Sequence, residues 1–142
     1  MSILIENEAA MIALAKQLVE DIQAGDCFAL HGELGAGKSF LARAMMRALG
    51  VTDEALPSPT FAIIQEYDTN NGLKVAHMDW YRLEDSFEVA NLGVDEFFSP
   101  PWLTLIEWSE RAPELLPQST THIYIELDDT DINTRHVRIE KP

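Results

Sequence analysis

His31-Gly32-Glu33-Leu34-Gly35-Ala36-Gly37-Lys38-Ser39 is the stretch that decides how this chain is read. From Gly32 onward it fits G-x-x-x-x-G-K-[ST], the phosphate-binding P-loop, a motif that counts only between a strand and a helix. Both flanks qualify. Cys27-Phe28-Ala29-Leu30 is apolar throughout, as expected of a strand buried on both faces in a parallel sheet. On the far side Phe40, Leu41, Ala44, Met45, Ala48 and Leu49 recur at helical spacing, with Arg43 and Arg47 opposite them. Gly50 stands where a helix ends on a left-handed residue.

Strand, loop and helix in this order create an anion site. Gly32, Gly35 and Gly37 let the backbone turn tightly, so that successive N–H groups point into one hollow. The helix starting near Lys38 adds its unpaired N–H groups and the positive end of its dipole. Lys38 can reach the β- and γ-phosphates of a nucleotide, and the Ser39 hydroxyl can ligate magnesium.

The 142 residues are expected to form one domain, with 46% apolar and 24% charged residues, ordinary for a globular protein. Ten Lys plus Arg against 24 Asp plus Glu give a net charge of −14, which excludes a broad basic face for gripping nucleic acid unaided. Any role near RNA is therefore expected to run through another protein. Cys27, the only cysteine, reads as a small core residue in a reducing compartment. The first residues show no signal-peptide pattern and no stretch reaches membrane-spanning length, so the cytoplasm is expected and no membrane partner.

The rest of the chain predicts an α/β fold, a P-loop NTPase-like mixed sheet with a parallel core and antiparallel additions, flanked by helices. Ile3 to Ile5 reads as an edge strand, and Asn7 as the cap of a helix with Met11, Leu14, Ala15, Leu18, Val19 and Ile22 on one face. Strands are predicted over Phe61 to Tyr67 and Leu73 to Asp79, paired antiparallel around Asn71-Gly72. Short helices broken at Gly93 follow, then a strand from Trp102 to Ile106, a segment interrupted by Pro113, and a last hairpin, His122 to Leu127 with His136 to Glu140.

Asp79 and Glu107 each close an apolar strand, and in open α/β sheets ligands sit beyond such C-terminal tips. A carboxylate there can hold magnesium, directly or through water, or orient an attacking water, and the spacing leaves these roles open. His77 shares a strand face with Asp79, but no third ligand supports zinc, so it reads as a hydrogen-bonding histidine. Thr60, on a proline-stiffened loop, is placed either to sense a γ-phosphate or merely to shape the turn. Trp108 and Trp80-Tyr81-Arg82 flank the two acids, as site lining or as packing.

Taken together, the P-loop, Ser58-Pro59-Thr60-Phe61, His77-Met78-Asp79-Trp80-Tyr81-Arg82-Leu83 and Leu105-Ile106-Glu107-Trp108 resemble the successive motifs of the TsaE (YjeE) family. Leu92-Gly93 and Leu116-Pro117 also stand where that family has them. The resemblance implies a small ATPase, using ATP and Mg2+, that is needed for threonylcarbamoyladenosine in tRNA and works with TsaD and TsaB, touching tRNA only through that complex. It implies that Glu33, Leu34, Gly35, Ala36, Gly37, Lys38, Ser39 and Phe40 cradle the nucleotide. Ser39, Glu107 and Asp79 would then hold the metal, with Glu107, Asp79 and Thr60 serving hydrolysis. Residues around Glu8 would meet the adenine, with Arg135 approaching the nucleotide from the last hairpin. Ser39 replaces a frequent threonine and keeps the hydroxyl; Ser109 stands where proline is usual. Two other classes remain open, a small-molecule kinase and a nucleotide-sensing adaptor without hydrolysis. The absence of Asn-Lys-x-Asp favours ATP over GTP.

Overall fold

The computed structural model describes residues 2–59 and 62–142. A single sheet runs β1 (Ser2–Ile5), β7 (Arg135–Glu140), β6 (Thr121–Leu127), β2 (Cys27–His31), β5 (Trp102–Glu107), β4 (Lys74–Asp79), β3 (Ile64–Asp68). Pairing is parallel from β6 through β2 and β5 to β4, and antiparallel at β1, β7 and β3. This is the mixed α/β sheet the sequence predicts.

Helices α1 (Glu8–Val19) and α2 (Lys38–Ala48) pack on one face. The Asn7 side chain accepts the Ala10 N–H at 2.8 Å and so starts α1 as expected. From α2, Leu41, Ala42, Met45 and Met46 are buried against Leu30, Leu103 and Leu105. Each of the larger side chains contributes about 1.5–3 kcal/mol by leaving water. The other face carries α3 (Ser86–Asn91) and three 3-10 turns, Val94–Phe98, Ser109–Arg111 and Pro113–Leu115. They enclose a second apolar cluster around Trp80, Met78 and Ile106.

Three predicted boundaries are corrected. β3 begins at Ile64, because Ile63 adopts a left-handed φ of 69° that a strand does not carry; Phe61, where the predicted strand starts, lies outside the described residues. Leu73 belongs to the hairpin turn, its carbonyl accepting from the Thr69 N–H and hydroxyl, so β4 starts at Lys74. Ile22 lies beyond the end of α1 and packs on the core from the following loop.

Candidate functional site

The phosphate loop forms where β2 runs out and α2 begins. A Cβ on Gly32 would stand 2.7 Å from the Ile125 carbonyl oxygen, so only glycine lets the loop pass β6 this closely. Gly35 and Gly37 are left-handed, with φ of 82° and 111°. Gly37 is the N-cap of α2 and, among the described residues, no side chain caps the first-turn N–H groups, which leaves them as donors for an anion. From the last hairpin, Arg135 donates Nε–H to the Ala36 carbonyl at 2.9 Å and ties the loop to β7.

Lys38 is only 5% exposed, and its ammonium lies 3.6 Å from the centre of the Trp108 ring. It has no hydrogen-bond partner among the described residues. Burial pushes its pKa below the usual lysine value, while Glu107, Glu110 and Asp79 pull it back up. Trp108 reaches this place through a left-handed φ of 61°, an uncommon conformation for a bulky residue.

Glu107 and Asp79 stand opposite each other at the tips of β5 and β4, both 3% exposed. The Ser39 hydroxyl, one residue into α2, donates to the Glu107 carboxylate, with Oε1 at 2.9 Å and Oε2 at 2.8 Å. Asp79 accepts the Tyr81 backbone N–H at 2.8 Å. From β4 the His77 ring places Nε2 2.7 Å from Glu107 Oε2.

Two cavities adjoin the loop. One of about 380 Å³ is lined by Leu34, Gly35, Lys38, Ser39, Asp79 and Glu107, among others. On the other side of Gly37 and Phe40, one of about 420 Å³ brings Glu8 and Arg135 together with Ala36. The predicted residues therefore gather in two adjoining hollows that share Gly37 and Phe40. Glu33 sits exposed in the loop, where its carbonyl accepts the Ala36 N–H. Thr60 lies outside the described residues. Tyr81 and Trp108 line the first cavity, whereas Trp80 is fully buried in the opposite cluster, because successive residues leaving a strand point to opposite faces.

Sequence reasoning did not find the bond from His77 to Glu107, nor a chain in which Glu110 and His122 flank His31 at 3.3 and 2.8 Å. The alternation that puts His77 on the face of Asp79 was a usable signal for the first. The second joins three elements and has no local signature.

The donor set fits a nucleotide with magnesium. A buried ammonium without a hydrogen-bond partner and a helix start without a side-chain cap, both among the described residues, suit phosphate. Among the described residues no three His, Cys, Asp or Glu side chains form an all-protein metal cage. Magnesium needs none, since it takes one or two carboxylates with phosphate oxygens and waters. The hard oxygens of Ser39, Glu107 and Asp79 are of that kind.

A family model described as "Threonylcarbamoyl adenosine biosynthesis protein TsaE" matches residues 5–137. The tRNA threonylcarbamoyladenosine biosynthesis protein TsaE of Bacillus subtilis is 42% identical over 114 residues, covering 80% of this chain and 69% of that protein. The TsaE protein of Aquifex aeolicus is 33% identical over 138 residues, covering 96% and 93%. The crystal structure of Bacillus subtilis YdiB superposes with a TM-score of 0.82 at 30% identity, covering 99% of this chain and 84% of that one.

Proposed function

Because the chain belongs to the TsaE family, we propose that it is a magnesium-dependent ATPase serving tRNA threonylcarbamoyladenosine biosynthesis. In this proposal it acts on tRNA only through TsaD and TsaB, and its own turnover is weak until those partners engage it. Its place is the cytoplasm; no helix among the described residues is long and apolar enough to cross a membrane. The net charge of −14 accords with a protein that leaves RNA contact to its partners.

The observation that carries hydrolysis is the burial of Glu107 at a strand tip, held by the hydroxyl of Ser39 next to Lys38. Loop amides and the start of α2 bind the phosphates, and the Lys38 ammonium offsets charge on the β- and γ-oxygens. Ser39 and Glu107, with Asp79, would hold magnesium, which neutralises charge on the phosphate oxygens. A carboxylate of the same pair orients the attacking water and accepts its proton. The neighbouring cavity takes the nucleoside, with Glu8 and Arg135 at its wall.

The test is ATP turnover with and without TsaD–TsaB, for the wild type, Lys38→Ala and Glu107→Ala. Phosphate release that the partners stimulate and both substitutions abolish supports the proposal. Phosphate arriving on a metabolite would make the protein a kinase. ATP left intact in every mixture would make it an adaptor.

A further inference from the structure

We infer that His77 is a positioning residue: it fixes the Glu107 carboxylate in the orientation the phosphate site uses. The inference rests on the proposed reading of that site and concerns a residue to which that reading gives no role. His77 is 0% exposed and Glu107 3%, and the bond between them is 2.7 Å. Among the described residues, the Glu107 carboxylate has two hydrogen-bond partners, Ser39 and His77.

The two partners differ in kind. Ser39 stands in the first turn of α2 and borders the cavity, so its hydroxyl is open to a divalent cation and its bond to Glu107 can be given up. His77 lies behind Glu107 on β4, diagonal to it in the register that pairs Asp79 with Glu107 and His77 with Leu105. Nothing from the cavity can compete for that bond. Because a carboxylate accepts, the Nε2–H of His77 donates. Nδ1 is buried with no hydrogen-bond partner among the described residues.

Packing alone does not account for a histidine here. Along the same face of β4 and β5 the preceding side chains are Val75, Leu103 and Leu105, all fully buried. An apolar residue would continue that layer without an orphaned nitrogen. What the imidazole adds is a donor that holds Oε2 from behind, whereas the Ser39 hydroxyl reaches both carboxylate oxygens from the cavity side. Partners of this kind behind a metal-binding carboxylate set its orientation, and their loss commonly costs about 10- to 100-fold.

The full-length protein carrying His77→Leu, which removes the donor, is compared with His77→Gln, whose amide N–H lies at a similar reach. Thermal unfolding is recorded first, and both variants are measured well below their midpoints. ADP binding is titrated with magnesium and with chelator, and kcat and KM for ATP are measured. For His77→Leu the expected result is a loss of about 10- to 100-fold in kcat and in the tightening of ADP by magnesium. Binding in chelator and KM stay near wild type, and His77→Gln recovers most of both losses. Wild-type kcat and magnesium response in a folded His77→Leu would overturn the inference. So would a folded His77→Gln as impaired as His77→Leu, since that is the mark of packing alone. Should the wild type itself turn over no ATP, the proposed ATPase falls, and His77 is judged by binding. Magnesium tightening that His77→Leu loses supports it; the same tightening in both, or none in the wild type, overturns it.

Discussion

Strands β4 and β5 present two unlike faces. Toward α1 and α2 they carry Val75, His77 and Asp79 beside Leu103, Leu105 and Glu107, apolar at the base and ionisable at the tip. On the opposite face Ala76, Met78 and Ile106 lead to Trp80 and stay within an apolar cluster to the end. The same backbone thus builds a dry wall and a chemical site, separated only by the two-residue period of a strand. The polar tip is tolerable because α2 delivers Lys38 and Ser39 to the same place. Charges buried without such partners would be expelled or neutralised.

If that division holds, the greatest loss of activity follows removal of the cation. Lys38→Ala should lower kcat for ATP by about 10³-fold, roughly 4 kcal/mol, with little change in the denaturation midpoint. Trp80→Ala should do the reverse. It empties part of the dry cluster and destabilises the fold by about 3 kcal/mol in urea titration, the low end of the range for such truncations. The low end applies because the buried indole N–H has no partner among the described residues to lose. Its kcat per folded molecule should fall far less than that of Lys38→Ala. Glu107→Gln should cost about 10²-fold in kcat while nucleotide binding persists, as nucleotide titration would show.

Smaller effects belong to residues outside β4 and β5. Asn7→Ala removes the cap of α1 and should cost about 1 kcal/mol in the same urea titration. His122 gives the weakest. Burial, and then the neighbouring His31, hold its pKa below the ordinary 6.5, so below that value the unfolded chain binds more protons than the folded one. Stability should therefore decline slightly as pH falls below 6.5, and His122→Gln should flatten that part of the pH–stability curve.

Much of this was legible in the sequence because its signals are local. The P-loop glycines, the apolar run at Cys27 and the cap at Asn7 each state their conformation within a few residues. The strand-end acids could be named, but their meeting with Ser39 depends on β5 lying between β2 and β4, a neighbourhood no local pattern encodes. Trp80 was ambiguous for the same reason, since it adjoins Asp79 in sequence and faces the other way in space. The start of β3 is not legible, because the apolar run continues through Ala62 and Ile63. The left-handed backbone of Ile63 overrides its β propensity.

The most direct test of the central claim is a crystal structure of the protein with magnesium and a non-hydrolysable ATP analogue. The account predicts the triphosphate in the hollow above α2, with the Lys38 ammonium moved from the Trp108 ring onto the phosphates. Ser39 and Glu107 should meet the metal directly or through water, with Glu107 still bonded to His77. A triphosphate bound elsewhere, or one bound there with Glu107 and Asp79 turned away from it, would contradict the account.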